Sequence, residues 1–510
     1  MSIRGFLGQL LGGDSRRQGA LVRKPLRFRP ALEVLECRLA PAIAGVTARV
    51  VFGNLTITDN AATSQLTLSQ PADAEITITP DAGTTINGRA GPVTLVGVTG
   101  NLNVNLGAGN GTLTFDLSQH DINVGNVLIT GNTAAKAVTT DPDGTTHTLN
   151  VHGNYKEIFG NGNQFTALEQ FNVSGNLTIA HGDGDSFVFF GVARANLGQQ
   201  FNSVAGDLTV ANVTASGATA SGSDVNALEE TNVGGDLTAD MGRGDAGTGF
   251  AGWTSVGSQS DQPVTVGGNV TLTARTGLLA GGDFANDGLE VQNAQVAGAV
   301  TMGLGSGVGN TALFGGATAD FFTSASAVTI TGRGAHDAVT VGASEVDGDL
   351  VVSLTGGGGN AVAVDGANVG GDLAVSLTGK GGGNTIAVDS VFINGDTSLT
   401  AAGGINSIAI DNQDPGSAFG GRVDVALTGR NNLLAITSKG LRDGIARTTF
   451  DGEVSAKLGA GNDTLVLAQV GLVVFETAAT FNGGPGRNTA LVNGANVAAL
   501  QGGPTLVNFS

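Results

Sequence analysis

A single cysteine, Cys37, in 510 residues leaves the chain no intrachain disulfide and no cysteine zinc cluster. Tryptophan and tyrosine occur once each, which weighs against the aromatic platforms that stack on sugars. Charged residues are 13% of the chain, about half the usual share. No run of 18 or more apolar residues exists, so no transmembrane segment is expected. A standard signal peptide is missing, because the apolar stretch Gly5–Leu11 is short and its basic residues follow it. No H-E-x-x-H, Walker loop or G-x-S-x-G occurs, and none of the many G-x-G triplets opens a helix. These absences remove the common metalloprotease, nucleotide-binding and serine-hydrolase signatures.

What the chain has instead is glycine and an apolar supply. There are 84 Gly, 22 Phe and 41% hydrophobic residues. That apolar share fills a core and argues against disorder. Phe packs in a narrow core without needing a polar partner. Charge is divided: residues 1–38 carry eight Lys/Arg against three acids (+5), and the remainder 16 against 40 (−24). The acidic body repels nucleic acid, whose binding needs a cationic surface.

Residues 349–411 repeat. DLVVSLTGGGGNAVAVDGANVGG, DLAVSLTGKGGGNTIAVDSVFING and DTSLTAAGGINSIAIDN begin at Asp349, Asp372 and Asp396, a period of 23 to 24 residues. Such a period marks a solenoid, in which each repeat buries its apolar face against its neighbours. Leu350, Val352 and Leu354 alternate with Val351, Ser353 and Thr355, so the first set faces in. A second strand carries Val362 and Val364, then Ile386 and Val388, then Ile408 and Ile410; a third apolar point recurs at Val369 and Ile393. Two strands and a short third, separated by glycine turns, make one coil of a parallel β-helix. Looser starts at Gly100, Gly175, Gly206, Gly235, Gly268, Gly298, Gly421 and Gly452 extend the pattern. From Gly175 to Gly298 their spacings are 31, 29, 33 and 30, so the coils carry loops of unequal length. About 12 coils at roughly 4.8 Å each are expected.

Stacked coils put equivalent residues in columns. Asn360, Asn384 and Asn406 form one, expected to hydrogen-bond along the stack. Asp365, Asp389 and Asp411 form a second, and Asp349, Asp372 and Asp396 a third. Their carboxylates suit either turn capping or bridging by calcium. The segment Leu458-Gly459-Ala460-Gly461-Asn462-Asp463-Thr464-Leu465-Val466 resembles the nonapeptide of calcium-binding repeats-in-toxin proteins, with Leu458 in place of the first glycine. That resemblance makes Asp463, Asn462, Gly459 and Gly461 the candidate calcium residues. The copies are not tandem: Gly483–Asn488 has Asn for Asp, and Gly107–Gly111 lacks the acid.

Residues 29–41 read RPALEVLECRLAP. Arg29-Pro30, Leu32, Leu35-Glu36, Arg38 and Pro41, behind a basic stretch, resemble the N-terminal motif of large planctomycete surface and secreted proteins. Cys37 stands where that family more often has Pro or Asp. The resemblance covers about fifteen residues and implies export to the cell surface or medium; it implies no chemistry.

Enzymatic residues are scarce. Parallel β-helices include polysaccharide lyases and glycoside hydrolases, and a glycosidase needs two carboxylates facing one cleft. Asp183 and Asp185, beside His181, are the best local cluster, and they read equally well as an exposed turn. The body is too poor in Lys and Arg to supply a lyase base. His147 and His152 sit five apart on a strand-like segment, which sets them on opposite faces.

The expectation is therefore an all-β, single-stranded parallel β-helix with coils of about 23–33 residues, right-handed by the prior of its class. Residues 1–42 read as a leader, 43–170 as an irregular N-terminal β segment, 171–484 as β-helix repeats and 485–510 as a C-terminal cap. No catalytic residue and no cofactor is assigned, apart from the calcium candidates. The function expected is a non-enzymatic, secreted or cell-surface rod in adhesion or envelope structure, with a polysaccharide or another surface protein as ligand. A carbohydrate-active enzyme and a calcium-binding repeat protein are the alternatives.

Overall fold

The computed structural model describes residues 45–141, 146–182, 184–191, 202–212, 224–243, 253–257, 263–275, 288–316, 322–379, 381–410, 416–438, 447–499 and 503–510. The leader motif with Cys37, and also Asp183 and Asp411, lie outside the described residues. Residues 44–510 form one compact unit. It is a β-solenoid of parallel stacked coils, with no α-helix among the described residues. No helix there is long and apolar enough to cross a membrane.

The coil beginning at Leu350 shows the plan. Strand Leu350–Leu354 buries Leu350, Val352 and Leu354 and turns Val351 and Ser353 outward. A glycine turn leads to Ala361–Asp365, and the short strand Ala367–Val369 closes the coil. Each strand then pairs in parallel with its counterpart one coil later: Leu350 with Leu373, Val362 with Ile386, Val369 with Ile393. Three sheets result, which we call first, second and third in the order the chain visits them. The third holds 15 strands, one per coil, where about 12 coils are expected from the sequence. Two extra coils lie among residues 102–173, whose corners at Gly125 and Gly153 continue the glycine column of the repeat, and a third begins with strand Ala327–Gly332, whose corner carries Ser326.

The lumen is filled mostly by apolar side chains. Phe419, Phe450 and Phe475 stack from coil to coil with ring centroids 5.0 and 5.2 Å apart. Each fully buried Leu, Val, Ile or Phe adds about 1.5–3 kcal/mol, and every coil contributes several. Glycine fills most corners between third and first sheets because a side chain there is crowded, although Ser326 stands in the same ladder between Gly298 and Gly348. A Cβ on Gly206 would meet Asn176 Oδ1 at 2.0 Å and Gly175 O at 2.9 Å. The backbones of successive corners touch directly, as in Gly206 N–H donating to Gly175 O at 3.0 Å.

The two ends differ. Residues 46–96 pair mostly antiparallel, with Val46–Val51 on Asn54–Asp59, and Glu75–Pro80 between Thr63–Ala72 and Val93–Val96. Their Ile57, Ile76, Ile78 and Ile86 are buried over the mouth of the lumen. Thr489–Val492, Val497–Ala499 and Thr505–Val507 instead continue the three sheets in parallel.

Candidate functional site

The Asn360–Asn384–Asn406 column is part of a longer one. It runs Asn310, Asp337, Asn360, Asn384, Asn406, Asn432, Asp463, Asn488, and every rung is at most 1% exposed. Each rung's backbone N–H donates to the side-chain Oδ1 of the next, as in Asn360 to Asn384 at 3.1 Å and Asn384 to Asn406 at 3.2 Å. The amide nitrogens serve carbonyls of the glycine turns. Asn406 Nδ2 donates to Gly403 O at 2.6 Å and Thr428 O at 3.3 Å. The backbone of an otherwise unpairable turn is thereby satisfied inside the protein.

Two rungs are acids. Asp337 Oδ1 accepts from Asn310 N and Nδ2 at 3.1 and 3.0 Å, and its Oδ2 accepts from Gly334 N at 3.1 Å. Burial still outweighs these bonds and pushes its carboxyl up to about 6. Asp463, the calcium candidate, occupies the same column. Its Oδ1 accepts from Asn432 N and Nδ2 at 2.6 and 3.0 Å, and its N–H donates to Asn488 Oδ1 at 2.9 Å. Its Oδ2 is buried and has no hydrogen-bond partner. Asn462 Oδ1 accepts the N–H of Arg487 at 3.0 Å. Gly459 and Gly461 hold φ of 83° and 133°, conformations that favour glycine whether or not an ion is bound. Among the described residues no three His, Cys, Asp or Glu side chains gather as a metal would require.

A second column follows the glycine corner on the outside. Asn54, Asn101, Asn126, Asn154, Asn176, Asp207, Asp236 and Asn269 each accept the backbone N–H of the residue one coil further on. The series resumes at Asp349, Asp372 and Asp396, which accept from Asp372, Asp396 and Arg422 at 2.9, 2.8 and 2.8 Å. These three acids cap backbone, one of the two roles expected of them. Asp365 and Asp389 are in register on the second sheet.

One polar cluster gave no sequence signal. Inside the lumen, Glu157 accepts from Tyr155 Oη at 3.1 Å and from Thr166 Oγ1, and its Oε1 lies 2.9 Å from His181 Nε2. His181 Nδ1 is 2.7 Å from Ser186 Oγ, which donates to Asn212 Oδ1 at 3.0 Å. Ser186, His181 and Glu157 have the residue types of a nucleophile, base and carboxylate series, but the Ser186 proton goes to Asn212 and not to His181. All three are 0% exposed, and the His181 ring stacks on Phe159 at 5.5 Å. A substrate has no approach to Ser186, so the arrangement satisfies polar groups within the core. Burial, then the Glu157 carboxylate, raise the Tyr155 phenol well above its usual range. The His181 ring thus lies among Glu157, Thr166, Ser186 and Phe159 in the core, whereas Asp185, with which the sequence groups it, is only half-buried.

On the outer face of the first sheet lies an open groove of about 660 Å³, lined by Thr273, Gly303, Ser306, Thr331, Arg333 and Ser353. Among the described residues Arg333 is the only charged one in its lining. At the surface elsewhere, His147 Nδ1 lies 3.3 Å from Asp121 Oδ1, an exposed pair of small energetic value. The chain matches no family model, and no curated protein or solved structure matches it.

Proposed function

We propose that this chain is an exported surface or matrix protein whose solenoid acts as a non-enzymatic rod in adhesion or envelope structure. The observation that carries the reading is where the polar side chains go. The Asn/Asp columns are spent on backbone groups of neighbouring coils, and the Ser186–His181–Glu157 series is sealed in the core. Repetitive capping builds length, and a catalytic cleft would instead need carboxylates converging on an accessible groove. The leader motif at Leu35-Glu36-Cys37-Arg38 supports export by its resemblance.

Antibody labelling of intact source cells tests it. The body belongs at the surface or in the medium, and replacing Leu35 and Arg38 together should retain it inside. A cytosolic protein, or release of reducing ends from polysaccharides, overturns the reading. A second reading, calcium binding, is favoured by one observation, the buried and unpartnered Oδ2 of Asp463.

A further inference from the structure

The groove on the first sheet is lined by a glycine, Gly303, that the fold does not require. Gly303 lies inside strand Ala299–Leu304, and its φ is outside the left-handed region. A Cβ there would meet nothing nearer than Thr273 Cγ2 at 3.6 Å, an ordinary contact. By contrast, a Cβ on Gly332 would meet Leu354 Cδ2 at 2.8 Å and Asp337 Oδ2 at 3.0 Å. A strand glycine costs about 0.5–1 kcal/mol relative to alanine, and without a steric reason it marks a place where something approaches the backbone.

The surroundings say what could approach. Thr273, Gly303, Thr331 and Ser353 stand in register on four successive coils, a track of roughly 14 Å. Beside it runs an unbroken lane of outward threonines, Thr178, Thr209, Thr238, Thr271, Thr301 and Thr329. Hydroxyls both donate and accept, as a polyhydroxyl ligand does. Arg333 is exposed at the groove, and no described carboxylate pairs with it, although the protein has 43 acids against 24 Lys/Arg. Asp240, in register with Thr273, is the nearest acid along the track and lies outside the groove lining. A guanidinium is built for bidentate bonds to a carboxylate or sulfate.

We infer that this groove binds an extended saccharide along the solenoid axis, with one acidic sugar seated on Arg333. The inference rests on the adhesion reading and gives it a ligand class. Calorimetric titration of the full chain with trigalacturonate, the matching neutral trisaccharide and a sulfated trisaccharide tests it. An acidic trisaccharide should bind about tenfold more tightly than the neutral one, and Arg333→Ala should remove that advantage. Gly303→Leu should abolish binding with unchanged melting. Arg422→Ala, whose guanidinium already pairs with Asp424 at 2.7 Å, should bind as the parent does. Preference for the carboxylated or the sulfated sugar assigns the anion. If neither acidic sugar binds at millimolar concentration, or if Arg333→Ala and Gly303→Leu bind unchanged, the groove inference fails while the rod reading stands. If the sugar binds and is cleaved, the groove stands and the non-enzymatic reading fails.

Discussion

The buried column from Asn310 to Asn488 and the exposed corner column from Asn54 to Asn269 use the same bond in opposite directions. In the first, a side chain accepts from the coil before it; in the second, from the coil after it. Solvent separates them. On the corner either Asn or Asp serves, because water screens the charge and replaces a lost bond. In the buried column six of eight rungs are Asn, because an amide supplies both the acceptor and the donor that the turn needs. An Asp there keeps the acceptor, loses the donor and brings a charge out of water. The same geometry is thus optional outside and obligatory inside.

That contrast can be broken in graded steps. Asn406→Ala strips an acceptor from Asn384 and donors from Gly403 and Thr428, so denaturant unfolding should show a loss of about 3–5 kcal/mol. A loss below about 1 kcal/mol would mean that water enters the column. Asp337 gives the next effect. Its carboxyl is raised from 3.8 to about 6 in the folded state, so the folded protein holds the proton more tightly than the unfolded chain. Its stabilising share is complete below about pH 4 and is lost as pH rises through 6. The stability of the parent relative to Asp337→Asn should therefore fall by on the order of 2–3 kcal/mol between pH 4 and pH 7. A flat difference across that range would remove the burial argument. Asp372→Ala should cost least, about 0.5–1 kcal/mol, since the N–H it frees on Asp396 reaches water. A cost equal to that at Asn406 would erase the distinction between the columns.

The coil itself was legible because residues 349–411 repeat with near-constant length. Period-two alternation then placed Leu350, Val352 and Leu354 inside, where they are. Asn360, Asn384 and Asn406 were visible for the same reason. Their continuation to Asn310, Asp337, Asn432, Asp463 and Asn488 was not, because those rungs follow at spacings of 23 to 31 residues. Unequal loops hide a column from sequence while leaving it intact in space. The threonine lane of the first sheet was within reach of the glycine starts: Thr178, Thr209, Thr238, Thr271 and Thr301 each follow Gly175, Gly206, Gly235, Gly268 and Gly298 by three residues, and strand register places them side by side. The Glu157–His181–Ser186 cluster draws on positions from two coils with no motif spacing. Sequence placed His181 with its neighbours in a polar turn, whereas its strand parity turns the ring into the lumen.

The central claim is that the Asn and Asp columns exist to satisfy backbone, and the most direct test is thermal unfolding of the full chain after chelation, with and without millimolar calcium. If backbone capping is their work, the midpoint moves by less than about 2 °C. A rise of about 10 °C or more, abolished by Asp463→Asn, would contradict it and make the free Oδ2 of Asp463 part of a metal site.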